Sequence, residues 1–284
     1  VTKPLPGIGG ELLSEDDVEK IIDENVQAAR IAYDAGADGI DVKLCHGFLG
    51  SQMLRPYNDR DWKYGGSWEN RSRFAYELYE KINKEINDPN FLIGSKISVW
   101  EGFPGGFGSE GPDSPMMDMT EPLDLIRGLE ERGAHYFIQS AGNPVTSLIH
   151  LQANKEYPFL SFLHHHWAKE CKQVVKQAKI IGSNYSVFRN GKNNCMGAEE
   201  DKKSLLFFGS KFVSEDKVDL IGLGRQAFAD PYLPKKLREG KLDEVKWCTL
   251  CDNCLKLVMC CKPSGCCAYN KYYAKSLQEE MKKK

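Results

Sequence analysis

The chain has 284 residues, 41% hydrophobic and 27% charged, ordinary for a folded globular protein and enough for one large domain or two small ones. Its formal net charge of −2 gives no reason to expect nucleic acid or an anionic membrane as the main partner, and no apolar run approaches the roughly 18 residues of a membrane span. Ten cysteines are many, and seven of them lie between Cys248 and Cys267. A secreted disulfide scaffold is short and spreads its cysteines. A long chain ending in a dense knot of them favours metal or cluster ligation in a reducing cytoplasm. No signal peptide is recognisable, and the start at Val1 rather than Met reads as a truncation.

A βα rhythm runs through the chain. Ser14 is placed to cap a helix with Asp16 and Asp17 in its first turn, running to about Ala35, where Gly36 stops it. A strand over Gly39–Cys45 leads into a Gly- and Tyr-bearing loop, Gly47–Ser67. A helix over Trp68–Asn87 and a strand over Leu92–Val99 follow, then a Gly/Pro/Asp-rich loop from Trp100 to Thr120. Pro122 sits at the start of a helix that Gly133 ends, before a strand over His135–Ser140. The remaining expectations are a helix over Trp167–Ala178, a strand over Lys179–Val187, a helical stretch over Glu199–Phe212, a strand over Val218–Gly222 and a helix over Pro231–Glu239. Strands this short and apolar suit a parallel sheet covered by helices.

Long loops follow the strands and short turns follow the helices, the asymmetry of a TIM (β/α)8 barrel. A doubly wound sheet would want a G-x-G-x-x-G turn, and Gly222-Leu223-Gly224-Arg225 lacks the third glycine. Five βα units are counted where a closed barrel needs eight. The expectation is therefore an α/β barrel incomplete at its N-terminus, with residues 1–240 forming five units and residues 241–284 a cysteine-rich segment. Val1–Gly10 cannot supply the other three.

The most specific motif is Cys248-x-x-Cys251-x-x-Cys254, followed after eleven residues by Cys266. Two-residue gaps turn successive thiolates into one cavity, and a distant fourth closes the cage of a [4Fe–4S] cluster. A structural zinc site would normally show two separated Cys pairs or a Cys/His mixture, and neither is present; zinc and free thiols stay open as weaker readings. Cys260, Cys261 and Cys267 are spare. A second motif, Asp41-Val-Lys43-Leu-Cys45-His46-Gly-Phe48, ends a strand with a cation and an imidazole that can donate to a carbonyl. The plain alternative is a solvated lysine and a capped histidine. A third, Asn58-x-Arg60 through Tyr64-Gly-Gly-Ser67, is a site wall or a surface loop. His164-His165-His166 reads as a metal ligand set or, better, as the surface start of a helix. His150 could line the mouth.

Taken together, His46-Gly-Phe-Leu, Asn58-x-Arg60, Tyr64-Gly-Gly-Ser, Glu69-Asn-Arg71-x-Arg73-Phe74, Gly94-Ser-Lys96-Ile-Ser98 and Val218-Asp-Leu-Ile-Gly222-Leu-Gly224-Arg225 resemble the old yellow enzyme family of FMN-dependent oxidoreductases. The cysteine run resembles its iron–sulfur branch, that of 2,4-dienoyl-CoA reductase and trimethylamine dehydrogenase. The resemblance implies that the chain supplies strands four to eight of the barrel. It implies FMN, a [4Fe–4S] cluster on Cys248, Cys251, Cys254 and Cys266, and NAD(P)H as electron donor. Lys96 takes the place of an arginine beside the flavin N1–C2 edge. Gly182, Ser183, Gly224 and Arg225 match its phosphate loops. Lys43 and His46 occupy the substrate-anchoring positions, with Cys45 and Arg60 as further catalytic candidates. Phe48 stands where a proton-donating tyrosine is usual, so His46, Cys45, Tyr57 or solvent must supply the proton.

The implied function is reduction of an activated C=C bond in a small conjugated substrate by an NADH:flavin oxidoreductase, with the cluster relaying electrons. The alternatives are an amine dehydrogenase of the same family and a non-catalytic partial barrel that needs a partner chain. A separate reductase partner, or the missing barrel half, is expected.

Overall fold

The computed structural model of the chain describes residues 11–148, 152–192 and 203–283. Val1–Gly10, His150 and the beginning of the helix expected from Glu199 lie outside them. The chain divides into two compact units, one of Val1–Gln152, Phe162–Gly182 and Asp216–Leu220, the other of Ala153–Ser161, Ser183–Glu215 and Ile221–Lys284.

The first unit is an α/β layer. In chain order it holds α1 (Glu15–Asp34), β1 (Gly39–Leu44), α2 (Leu49–Leu54), α3 (Trp68–Ile86), β2 (Leu92–Ser98), a small hairpin of β3 (Ser109–Gly111) and β4 (Ser114–Met117), α4 (Thr120–Glu131), β5 (Tyr136–Ser140), most of α5 (Leu160–Val174), β6 (Lys179–Gly182) and the start of β7 (Leu220–Ile221). The sheet order β1-β2-β5-β6-β7 is the chain order once the hairpin is set aside, and the pairs from β1 through β6 are parallel. Four consecutive parallel strands, with β7 as the fifth strand of the sheet and helices between them, match the five βα units counted in the sequence. This is the sheet of an α/β barrel, open among the described residues.

Local chemistry sets the helix ends. Ser14 caps α1 in a reciprocal box: its hydroxyl accepts the Asp17 N–H at 3.1 Å and its own N–H donates to the Asp17 carboxylate at 2.8 Å. Ser67 caps α3, which ends at Asn87 in the left-handed conformation that asparagine tolerates. α3 turns Phe74, Leu78, Tyr79, Ile82 and Ile86 inward at helical spacing, and the Tyr79 hydroxyl reaches Ser95 on β2 at 2.7 Å. Val42, Leu44, Ile93, Ile97, Phe137 and Ile180 form the buried face of the sheet, each contributing about 1.5–3 kcal/mol.

The opposite face follows from the register. Lys43 lies opposite Lys96, Lys96 opposite Ile138, and Gly94 between Asp41 and Tyr136. The Tyr136 ring covers Gly94, where a Cβ would meet it at 2.3 Å. This face is polar and open to solvent at Asp41 and Lys43.

The second unit contains a 3-10 turn (Tyr185–Phe188), α6 (Leu205–Ser214), α7 (Arg225–Ala229), α8 (Leu233–Arg238), α9 (Asn253–Met259) and α10 (Lys271–Met281). Four expectations are revised. α2 and the hairpin occupy stretches read as plain loops. α5 begins at Leu160, not Trp167, and His164 and His165 are buried inside it rather than on the surface. The strand at Lys179 stops at Gly182, because Asn184 turns left-handed and starts the 3-10 turn. α9, which carries Cys254, and α10 form where no helix was expected.

Candidate active site

Three adjacent parallel strands end together, and their carboxyl ends build the site. β1 runs out through Cys45 into His46, whose φ of 60 puts a non-glycine residue in the left-handed region. The His46 N–H donates to Ser98 Oγ at the end of β2 at 3.2 Å, and the imidazole Nε2 shares a hydrogen bond of 2.8 Å with Ser140 Oγ at the end of β5. Ser98 donates on to the Gly142 carbonyl at 3.2 Å. A strained backbone held by two serines fixes the ring. Gly47 follows because a Cβ there would strike the Asn143 side chain at 2.2 Å.

The electrostatics are cationic. Burial, followed by the charges of Lys96 and Lys43, pulls the His46 pKa down to about 3, so the imidazole is neutral at physiological pH. Burial pushes the Cys45 thiol up to about 11 against the same two lysines. Cys45 is thus a neutral thiol with no exposed surface. Neither lysine has a carboxylate within ion-pair distance among the described residues. Lys43 Nζ instead lies 3.3 Å from the centroid of the Phe48 ring, a cation–π contact that holds the ammonium over the exposed aromatic. Asp41 is the nearby acid on this face; burial raises its pKa, against the Lys96 N–H that donates to it.

Around this centre the loops are tied by residues that the sequence did not flag. Arg55, at the end of α2, makes a two-pronged ion pair with Glu101 after β2, at 2.6 and 2.8 Å. Glu101 also accepts the Phe107 N–H at 3.0 Å, and its backbone carbonyl accepts the Ser147 hydroxyl from the loop after β5. Arg60 is elsewhere: it donates to the Leu13 carbonyl at 2.8 Å and lies over the Trp62 ring. Arg60 therefore braces the start of α1, apart from the His46 group. Asn58 likewise bridges the Met53 and Tyr64 carbonyls. His164 faces Gln139 at 3.3 Å and the Trp167 ring at 5.2 Å, inside the core of the first unit.

Gly182 closes β6 in the first unit; Ser183, Gly224 and Arg225 belong to the second. A Cβ built on Gly224 would meet nothing within 4 Å, so a ligand can approach its backbone. The Arg225 guanidinium is held by Asp252 at 2.8 Å and by the Ala153 carbonyl. It also bears on the cysteines: its charge opposes the burial that raises the Cys248 and Cys254 thiols.

Cys248 is buried, with its N–H donated to Gln226 Oε1 at 2.9 Å. Leu250 and Asp252 take left-handed conformations that fold the Cys-x-x-Cys run back before Cys254 enters α9. Cys266 lies between α9 and α10. Cys248 feels the charges of Cys251 and Cys266, Cys254 that of Cys248, and Cys267 those of Cys251 and Cys266. Among the described residues, no three such side chains stand close enough to hold one metal ion. Four thiolates, with Cys-x-x-Cys-x-x-Cys spacing and no histidine among them, are the donor set of a [4Fe–4S] cluster. In the first unit the Lys96 ammonium has the charge that an anionic flavin edge calls for; in the second, separately, the open Gly224 backbone leaves room for a phosphate.

The chain belongs to the NADH:flavin oxidoreductase / NADH oxidase family, whose description matches residues 7–178. Members of this family are flavin-dependent oxidoreductases. The chain is 29% identical over 242 residues to the NADH oxidase of Thermoanaerobacter brockii, covering 84% of this chain and 32% of that protein. It is 28% identical over 248 residues to the dimethylamine dehydrogenase of Hyphomicrobium, covering 84% and 29%. It is 26% identical over 297 residues to the cinnamate reductase of Clostridium sporogenes, covering 98% and 40%. A 2-naphthoyl-CoA reductase in complex with 2-naphthoyl-CoA superposes with a TM-score of 0.71 at 24% identity, over 94% of this chain and 36% of that one. The chain thus spans about a third of the length of these relatives. The fold is that of the TIM-barrel flavoenzymes.

Proposed function

We propose that this chain is the flavin- and cluster-bearing part of a reductase that saturates an activated C=C bond of a small conjugated substrate. The observation that carries the reading is the strand-end group, a neutral His46 fixed by Ser98 and Ser140 beside Lys43 and Lys96, neither of which is in an ion pair among the described residues. FMN, when bound, supplies hydride transfer. Lys96 would stabilise the negative charge of the reduced flavin edge, and Lys43 and His46 would hold and polarise the substrate carbonyl. With Phe48 lacking a proton, Cys45 buried and His46 uncharged, the proton comes from solvent, directly or by way of Tyr57. Ser183, Gly224 and Arg225 would hold the flavin phosphate, and Cys248, Cys251, Cys254 and Cys266 a [4Fe–4S] cluster. NAD(P)H, or a separate redox partner, provides the electrons. A thiol set of this kind calls for the reducing cytoplasm. No helix among the described residues is long and apolar enough to cross a membrane.

Amine oxidation is the second reading, favoured by the likeness to dimethylamine dehydrogenase. The Lys43 ammonium at the substrate-anchoring position would repel a cationic amine, which favours the reductive reading. The test is anaerobic assay of the FMN-loaded protein with cinnamate and NADH against dimethylamine and an artificial electron acceptor. Consumption of cinnamate alone supports the proposal; turnover of dimethylamine alone contradicts it.

A further inference from the structure

The segment that carries the cysteines differs in charge from the rest of the chain. Residues 246–284 contain eight lysines against three side-chain carboxylates, in a chain whose formal net charge is −2. All three carboxylates are already engaged: Asp252 by Arg225, Glu279 by Lys275, and Glu280 by Lys262 and Lys283. Lys246, Lys256, Lys271 and Lys282 have no carboxylate within ion-pair distance among the described residues. α9 and α10 pack together here and leave Val258, Met259 and Tyr272 at 53%, 70% and 65% exposure. The Cys251 thiol is exposed within the same segment.

We propose that the α9–α10 segment is a docking surface for an acidic one-electron carrier protein, which meets the redox group at its Cys251 edge. The proposal rests on the cluster reading above. An excess of unpaired positive charge on the same segment as a few exposed apolar residues complements an acidic partner. The positive charge of the segment is all lysine. Ammonium groups are compact and strongly hydrated, suited to brief, salt-sensitive encounters, whereas phosphate-reading surfaces favour the bidentate fork of arginine. Redox encounters are small and weak by the same logic. The carrier gives up one electron per encounter and leaves oxidised. Two encounters, with two protons from solvent, match the two electrons that saturate one C=C bond.

The probe is a plant-type [2Fe–2S] ferredoxin, titrated into the holoprotein by calorimetry at low and high salt, with iron and labile sulfide measured on the same preparation. The expected result is micromolar-range binding that weakens by about tenfold or more in Lys256→Glu/Lys271→Glu and in high salt. A Lys20→Glu/Lys84→Glu control on α1 and α3 keeps wild-type affinity. Cluster-loaded protein that does not bind the ferredoxin, or binds it indifferently to salt and to the α9–α10 reversals, overturns the proposal. So does binding of phosphatidylserine vesicles or duplex DNA in place of the ferredoxin. If the preparation lacks iron and sulfide yet ferredoxin docks through these lysines, the surface stands and the cluster reading fails.

Discussion

Arg55 and Glu101, 46 residues apart in the chain, clasp each other with Nε to Oε2 at 2.6 Å and Nη2 to Oε1 at 2.8 Å, and the carboxylate is wholly buried. The pair joins the loop after β1 to the loop after β2, and the Glu101 backbone joins both to Ser147 after β5. It thus fixes the three loops that surround His46. Removing one partner strands a buried charge. Glu101→Ala or Arg55→Ala is expected to cost about 3–5 kcal/mol. The double replacement Arg55→Met/Glu101→Leu is expected to cost less than either single change. Urea unfolding of the three variants measures both effects.

His46 sets an acid-side limit on stability. Its folded pKa, about 3, lies below its ordinary 6.5. As pH falls below 6.5 the unfolded chain gains a proton that the folded imidazole refuses, so this contribution to stability declines from about 6.5 down to about 3 and is full above 6.5. The melting temperature of the wild type should sag over that window. His46→Asn keeps a residue that accepts the left-handed backbone and carries no titrating group, and its curve should be flatter there. Parallel sags in both proteins would place the titration elsewhere.

Lys96 is expected to matter through its charge. Lys96→Met should weaken FMN binding by roughly tenfold to a hundredfold, the worth of a charge-assisted hydrogen bond of about 1.5–3 kcal/mol. Lys96→Arg should recover most of it. Quenching of flavin fluorescence on titration reads this without any turnover.

The cysteines divide into ligands and bystanders. Replacing Cys248, Cys251, Cys254 or Cys266 by Ser should each abolish retention of iron and labile sulfide. Cys261→Ser, at an exposed residue just past α9, should leave both unchanged. Loss on Cys267→Ser but not on Cys266→Ser would move the fourth ligand by one position.

Much of this was legible in the sequence, for reasons that are local. Ser14 and Ser67 mark helix starts because a hydroxyl before an acidic or polar first turn has a specific hydrogen bond to make. The parallel sheet shows in short apolar runs whose two faces differ only where Asp41, Lys43 and Lys96 interrupt them. What the sequence hid is non-local. Arg55 and Glu101 each sit in polar loops, and nothing in either loop reveals the other. The histidine run looks like a surface, yet α5 rotates His164 and His165 inward and leaves His166 outside, a choice made by packing against Gln139 and Trp167. Arg60 carries the family pattern but spends its guanidinium on Leu13 and Trp62, so its place in the pattern is that of a brace.

The most direct test of the central claim is the composition of the protein purified without oxygen. Flavin, iron and labile sulfide should be quantified together on one preparation, with zinc measured beside them. The expected result is bound FMN with iron and sulfide in equal amounts and no stoichiometric zinc. A folded protein that holds neither flavin nor iron after reconstitution, or that holds zinc in place of iron, would contradict the account.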